Sequence, residues 1–271
     1  MPPVQPSCVK PWLVPNMDPQ RPGNPFVKPD GSIAYPGIWG GTGNGVIGEP
    51  LGTTAGGLVV LENIFRPAGL GVVSPLPAIL TAPGYLGYLP AQVTSFSGPC
   101  SSCAGGSDTD KSISCCNTAQ VYSCAQTSNT FIDLLSAQIP AIVSGTACLI
   151  GAAGGGGGVP GIDTIDFFNY QSYMGPITIR SGGGPHNGSF VNTSNQIVTM
   201  PIIDTTLIDI ATGQVKVIGF MQVFVQSIDS TDGGIQGRIL NISGCGTNID
   251  TALPPVSGGG VSPVPVRLIH Q

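Results

Sequence analysis

Five of the eight cysteines in this 271-residue chain lie within one short stretch, residues 98–124, which reads GPCSSCAGGSDTDKSISCCNTAQVYSC. The residues between them are mostly small and polar, so this stretch cannot bury a hydrophobic core of its own. Disulfide bonds are favoured as its support, because the total is even and each bridge typically contributes about 2–4 kcal/mol. The sequence leaves the pairing of these disulfides open. The candidates within the segment are Cys100, Cys103, Cys115, Cys116 and Cys124, and the long-range partners would be Cys8, Cys148 and Cys245.

Zinc binding and thiol redox chemistry are the alternatives for this cluster. Cys100 and Cys103 have the two-residue spacing of a zinc-ligand pair, but Cys115 and Cys116 are adjacent. Neighbouring side chains of an extended chain point to opposite sides, which disfavours one shared tetrahedral ion. A thioredoxin-like centre would need a helix directly after Cys103, where glycine and serine follow. Disulfides are therefore favoured over both, and they imply an oxidising compartment.

The composition predicts a mainly β, loop-rich fold. The chain contains 41 glycines and 26 prolines, both unfavourable inside helices. Its 41% of hydrophobic residues argues against disorder despite the low charged fraction of 8%. We expect a β-rich α+β protein with an antiparallel sheet or sandwich, disulfide staples and one short helix near residues 129–139 that Pro140 ends or kinks.

The order of segments predicts one domain with an N-terminal extension. Residues 1–50 are proline-rich and extended, and should pack on a single β-rich domain formed by residues 51–271. That domain carries the disulfide-rich insertion at residues 98–124 and a glycine-rich loop at residues 151–161.

The clearest secondary structure lies in residues 196–245, where residues 214–229 and 235–243 are predicted to form a β-hairpin. Alternation places Val217 and Met221 on one face of its first strand and Phe220 on the other. Gly233 and Gly234 should supply the positive φ values of the turn.

Several functional classes find no support in the sequence. The net charge is −5 and the nine basic residues are scattered, so no nucleic-acid partner is expected. No Gly-x-Ser-x-Gly elbow or phosphate-binding loop occurs, and we expect no catalytic site, cofactor or metal. The acidic residues of 108–110 and 229–234 are more typical of turns than of calcium ligands. Three Asn-x-Ser/Thr sequons begin at Asn187, Asn192 and Asn241.

The hairpin region also carries a family resemblance. The phrases QIVTMPIIDTTL, GQVKVIGFMQVFVQSID and GGIQGRILNI resemble the C-terminal part of TadE/TadG-like Tad (Flp) pilus-assembly proteins. The ending SPVPVRLIH and the upstream phrases CVKPWLVPNMDP and GVIGEPL are similar to phrases of the same family. The matching motif positions are Pro201, Asp204, Gly219, Phe220 and Gly237.

This resemblance implies a non-enzymatic structural or assembly protein of the cell envelope. Its partners would be other pilus-assembly or envelope proteins, and its location would be periplasmic or at the cell surface. Family members usually begin with one transmembrane helix, and no such segment is seen in this chain. The resemblance therefore implies membrane attachment through an N-terminal anchor that this chain does not contain.

A secreted or surface adhesin-like module that binds carbohydrate or another surface is the alternative function. Aromatic residues beside glycine-rich loops suggest it, although core packing is the simpler interpretation of the same residues. They are Trp12, Trp39, Tyr85, Tyr88, Tyr170 and Tyr173.

Overall fold

A computed structural model describes most of the chain. The described residues are 8–21, 23–37, 39, 45–51, 66–67, 87–100, 106–122, 124, 139–151, 159–166, 178–191, 194–208, 214–230 and 233–245. The strands within them are β1 (Trp12–Pro15), β2 (Pro50–Leu51), β3 (Arg66–Pro67), β4 (Gly87–Pro90), β5 (Val159–Pro160), β6 (Thr164–Asp166), β7 (Thr178–Arg180), β8 (Phe190–Val191), β9 (Ile197–Ile203), β10 (Val217–Ile228) and β11 (Ile235–Gly244). The helices are α1 (Asp108–Ser114) and α2 (Ile139–Leu149), and short 3-10 turns cover Gly184–His186 and Thr205–Leu207.

The strands form two sheets, which confirms the prediction of a mainly β fold with disulfide staples. The large sheet has eight strands in the order β2-β11-β10-β9-β1-β4-β3, with β5 also pairing to β10. The small sheet has the order β6-β7-β8. Most pairs are antiparallel, but β1 pairs with β9 and β3 pairs with β4 in parallel. The N-terminal segment thus contributes an interior strand of the sheet.

The predicted hairpin is present as β10 and β11, which pair antiparallel from Gly219↔Gly244 to Ile228↔Ile235. Its turn is closed by the Gly233 amide donating to the Asp229 carbonyl over 3.0 Å. Of the two turn glycines only Gly233 has a positive φ, of 75°, so the prediction for Gly234 is wrong.

The predicted alternation along β10 is wrong at its start. Val217 and Phe220 share one hydrophobic cluster, whereas Met221 belongs to another. The pairing of β10 with β9 shifts register between Val217 and Gly219, so one residue is inserted there. An inserted residue reverses the side to which the preceding side chains point, and simple alternation cannot anticipate it.

The core lies on both faces of the large sheet. On one face Met221 and Val223 pack in a cluster with residues of both helices, including Ile113 and Ile142. A second cluster joins β1, β4, β9 and β10 to Tyr122. A third joins Ile179 of the small sheet to the large one and thereby packs the two sheets together.

The helices differ from the sequence prediction. Residues 125–138 lie outside the described residues, so most of the predicted helix near 129–139 does too. Helix α2 runs from Ile139 through Pro140 to Leu149, so Pro140 does not end this helix. The prediction that Pro140 ends or kinks the helix near 129–139 concerns residues that lie mostly outside the described ones. In the first turn of a helix the missing proline N–H has no intrahelical partner to lose.

Helix α2 packs closely on α1 because of a glycine at the contact. A Cβ on Gly145 would lie 2.7 Å from the Asp110 carbonyl oxygen and 2.9 Å from the Ile113 Cβ. Only a residue without a side chain allows this approach. Because α1 belongs to the cysteine-rich segment, this contact packs the segment against α2.

Candidate functional site

The cysteine-rich segment is joined to both ends of the described chain by disulfides. Cys8 is bonded to Cys116, with their Cα atoms 4.6 Å apart, and Cys124 is bonded to Cys245, with 5.5 Å between the Cα atoms. These bonds link positions separated by 108 and 121 residues in sequence. The segment is therefore a covalent junction between the N-terminal region and the end of β11.

A third bond closes the segment on itself. Cys100 is bonded to Cys115 over a Cα–Cα distance of 5.3 Å. Cys148 is also disulfide-bonded, and Cys103 lies outside the described residues. A sulfur engaged in a disulfide has no thiolate to offer a metal ion. The adjacent pair Cys115–Cys116 sends its two sulfurs to different partners, as the extended conformation of Cys115 requires.

Helix α1 sets the position of that adjacent pair, and the sequence analysis missed it. Ser107 caps the helix by accepting a hydrogen bond from the Asp110 amide over 3.1 Å. The Cys115 amide closes the other end by donating to the Lys111 carbonyl over 2.8 Å. The available signal was a serine followed by two aspartates in the first turn, a common helix start.

Asn117 anchors the segment to the neighbouring chain at residues 95–97. Its Nδ2 donates to the Ser95 carbonyl and to the Ser112 Oγ, both over 2.8 Å. Its Oδ1 accepts from the Ser97 amide over 3.1 Å and the Ala119 amide over 3.0 Å. All four hydrogen-bonding capacities of the amide are thus used, which makes Asn117 a rigid polar hub.

A buried lysine joins the N-terminal region to this segment. Lys10 is 3% exposed, and its Nζ donates to the Cys115 carbonyl over 2.7 Å. Burial lowers the pKa of Lys10 to about 8, because a low-dielectric environment disfavours the ammonium. The contact lies beside the Cys8–Cys116 bond in sequence, so polar and covalent links act at the same junction.

A second buried polar cluster consists of Asp18, Arg21 and Glu49. The Arg21 Nη1 contacts Asp18 Oδ2 and lies 2.9 Å from Glu49 Oε2, and both carboxyl side chains are fully buried. The guanidinium also stacks on the Tyr35 ring, 4.5 Å from its centroid. Burial and the adjoining Asp18 carboxylate raise the pKa of Glu49 to about 9. Glu49 therefore keeps its proton at neutral pH, and the three side chains together are close to neutral.

The positions carried by the family resemblance lie in and beside the hairpin. Pro201 of β9 faces Phe220 of β10, which is 6% exposed. Gly219 and Gly237 are required by close packing, since a Cβ there would lie 2.7 Å from the Ser243 carbonyl oxygen and 2.6 Å from the Val223 Cγ1.

Asp204, the remaining motif position, has a local role. Its Oδ1 accepts from the Thr206 amide over 2.9 Å and from the Thr206 hydroxyl over 2.7 Å, which caps the 3-10 turn after β9. Asp204, Gly219 and Gly237 therefore each have a local structural role.

The aromatic residues proposed for surface binding are in part core residues. Trp12 is 1% and Tyr88 is 0% exposed, and their rings meet edge to face with 6.5 Å between centroids. Trp39 is partly exposed, while the other three tyrosines of that set lie outside the described residues. The exposed aromatic that sequence analysis missed is Phe190 of β8, which is 53% exposed and lies under the Arg180 guanidinium at 4.2 Å.

The remaining sequence candidates have ordinary surroundings. Asp108 and Asp110 belong to the first turn of α1, and no group of three or more potential ligands suited to a metal ion occurs among the described residues. Asn187 is exposed in a loop, Asn241 is 4% exposed on β11, and Asn192 lies outside the described residues.

Disulfides of this kind form and persist in oxidising compartments, so the folded chain belongs to an extracytoplasmic environment. In the part of the chain that the structure describes, no helix has the length and apolarity that crossing a bilayer requires. Comparison of the chain with protein-family models, with characterised proteins and with solved structures found no match.

Proposed function

We propose that this protein is a non-enzymatic structural or assembly component of the bacterial cell envelope that works in Tad-type pilus biogenesis. The observation that carries the structural part is the covalent junction at residues 98–124. Its two long-range bonds connect segments at opposite ends of the described chain, so pulling one end transmits load to the other through covalent links. This suits a component that resists force or proteolysis outside the cytoplasm.

The pilus-specific part of the proposal is supported by the motif resemblance in β9–β11. The partners proposed are other pilus-assembly or envelope proteins. The buried Asp18–Arg21–Glu49 cluster is consistent with a structural role, because Arg21 contacts both carboxyl groups away from solvent.

The experiment is a deletion and complementation test in the source organism. Deleting the gene should reduce the number of Tad pili counted by electron microscopy, and the wild-type gene should restore it. A Cys8→Ala/Cys116→Ala gene should restore fewer pili, because the junction is opened. Fractionation and protease protection of the tagged protein should place it outside the cytoplasm. Normal piliation of the deletion strain would refute the pilus assignment, and a cytoplasmic, fully reduced protein would refute the envelope assignment.

A surface-binding module is a second candidate because of the Phe190 and Arg180 pair. An exposed aromatic ring stacked with a guanidinium is a common feature of recognition surfaces. A glycan array should then give signals that Phe190→Ala abolishes. Leu207→Ala, which removes another side chain that is 53% exposed, is the matched control and should leave them unchanged. An array without signal would remove this candidate.

A further inference from the structure

A cleft of about 420 Å³ opens at one end of the large sheet. It lies where β9 ends, β10 begins and β11 ends, and its walls include the turn at Lys28–Pro29 and the 3-10 turn Thr205–Leu207. We call it the lysine cleft, after Lys28 and Lys216, which both line it. Its volume is in the usual range of pockets that hold small ligands or short peptide segments, roughly 300–1,000 Å³.

The walls of the lysine cleft are held in place before any ligand arrives. Asn16 exchanges two hydrogen bonds with the Val27 backbone, at 2.7 and 2.8 Å. The Asp204 amide donates to the Lys216 carbonyl over 2.9 Å, and the Cys245 amide donates to the Ile218 carbonyl over 2.8 Å. The bond from Cys124 to Cys245 fixes the same corner covalently. A preformed site loses less conformational entropy on binding.

The charge of the lysine cleft is opposite to that of the whole chain. Two lysines and Asp204 line it, so its local charge is about +1 in a chain of net charge −5. Neither lysine forms an ion pair with a described acidic residue. Asp30 interacts electrostatically with Lys28 without forming an ion pair. The Asp30 Oδ1 accepts hydrogen bonds from the Ser32 amide and hydroxyl at 2.9 and 2.6 Å. The Asp204 Oδ1 is likewise occupied by Thr206.

The lining of the lysine cleft also includes apolar residues, among them Pro25, Pro29 and Ile218. Two lysines beside apolar lining residues fit a carboxylate next to a short hydrophobic side chain. Two lysines are too few for a nucleic-acid backbone, whose binding uses many phosphate contacts. We infer that the lysine cleft binds an extended, carboxylate-bearing peptide segment of a partner protein. This inference deepens the proposed assembly function and rests on it.

The test is an NMR titration of the full ¹⁵N-labelled chain with two capped peptides, acetyl-Val-Asp-Val-amide and acetyl-Val-Asn-Val-amide. The aspartate peptide should give saturable shifts at Thr206, Lys216, Ile218 and Cys245. The asparagine peptide, equal in size but neutral, should bind about tenfold more weakly because it lacks the charge. Equal affinity for the two peptides, or no saturable shift with either, would overturn the inference.

Variants separate the lysine cleft from general electrostatics. Lys28→Gln/Lys216→Gln should weaken binding of the aspartate peptide about tenfold or more, while keeping the fold because neither lysine is fully buried. Lys111→Gln removes a lysine of α1 that is partly exposed, as Lys216 is, and should bind like wild type. An unchanged affinity in the double variant, or inorganic phosphate displacing the peptide at equal concentration, would overturn the inference. Peptide binding is measured on purified protein, whereas piliation is measured in cells. The peptide experiment can therefore fail while the piliation experiment succeeds, and the piliation experiment can fail while the peptide binds.

Discussion

The central strands of the large sheet and the cysteine-rich segment are stabilised in different ways. Met221 and Val223 of β10 are both 0% exposed and pack against apolar neighbours. In the cysteine-rich segment the buried residues are mostly polar, namely Thr109, Asp110, Ser112 and Asn117 beside Ile113 and Tyr122. The sheet therefore draws on the hydrophobic effect, whereas the segment depends on disulfides, caps and the Asn117 hub.

Unsatisfied polar groups occur in both regions. Among the described residues, Trp12 Nε1 of β1 in the large sheet and Asp110 Oδ1 and Tyr122 Oη in the cysteine-rich segment are buried without a hydrogen-bond partner. Burial also raises the pKa of Tyr122, so its hydroxyl stays neutral. A buried polar atom without a partner costs about 1–3 kcal/mol. Both regions carry such costs, so the disulfide bonds, and not the unsatisfied groups, distinguish the cysteine-rich segment.

The comparison is tested most strongly by opening the long-range bond to the N-terminal region. Cys8→Ala/Cys116→Ala should lower the free energy of unfolding by about 3–5 kcal/mol, because a closure of 108 residues is lost. Cys100→Ala/Cys115→Ala opens a closure of 15 residues and should cost less, about 2–3 kcal/mol. Urea unfolding without reductant measures both. Hydrogen exchange should rise at residues 106–122 while β10 stays protected, and equal loss of protection in both regions would break the comparison.

Glu49 is a buried carboxyl directly before the edge strand β2, and pH tests its contribution. The folded pKa of Glu49 is raised to about 9, so its contribution to stability is complete below its ordinary pKa of 4.5 and is lost as the pH rises toward 9. Over this window the wild type should lose up to about 1.4 kcal/mol per pH unit relative to Glu49→Gln, which cannot ionise. Thermal or urea unfolding at pH 5, 7 and 9 measures this.

Asp30→Asn is the control for that experiment. Asp30 is an exposed carboxyl whose pKa is lowered by hydrogen bonds from Ser32. The contribution of Asp30 to stability therefore changes at acid pH. Above pH 5, the plot of unfolding free energy against pH for Asp30→Asn should run parallel to that of the wild type. Parallel curves for Glu49→Gln and wild type would show that Glu49 is ionised in the folded protein and would contradict the neutral cluster.

The contact between the two helices gives a smaller effect. Gly145→Ala should gain about 1 kcal/mol of helix propensity but lose more through the clash with the Asp110 carbonyl and Ile113. A net loss of about 1–2 kcal/mol is expected in urea unfolding. The exposed neighbour Ser144→Ala should change stability by less than about 0.5 kcal/mol. A stabilised Gly145→Ala would mean that the helices are free to move apart.

The junction between the two regions gives the smallest effect. Lys10→Met removes the hydrogen bond to the Cys115 carbonyl, worth about 1 kcal/mol, but also removes the cost of burying an ammonium, so its net effect at neutral pH should be small. The folded pKa of Lys10 is lowered to about 8, so wild-type stability should rise relative to the variant between pH 8 and 10.5, where only the unfolded chain holds the proton. Unfolding at pH 7.5 and 10 measures the difference, and a gap that stays constant would contradict a buried, readily neutralised lysine.

The hairpin and the cysteine bonding were the parts of the fold most accessible to sequence reasoning. The apolar run from Val217 to Val225 predicted a long strand, because side-chain alternation is a local property. Helix α1 was missed because glycine and serine before Ser107 outweighed its capping signal. The reversal at Val217 was missed because a bulge depends on the partner strand, here β9.

The candidate site was predictable only in its residue types. The cysteine count predicted disulfides, but the Cys8–Cys116 and Cys124–Cys245 pairs depend on which distant segments come together. Lys10 and Glu49 gave no sequence signal, since an isolated charged residue is usually exposed. The lysine cleft combines Lys28 and Lys216, which lie far apart in the chain.

By itself the sequence determined the kind of protein: β-rich, poor in charge, stapled by disulfides and suited to an oxidising compartment. These properties follow from composition and local pattern, which act residue by residue. The tertiary structure decided that β1 enters the sheet beside β9, that Cys115 and Cys116 bond in different directions, and that two lysines share one cleft. Contacts between distant segments are selected by the packing of the whole chain, and no local pattern specifies them.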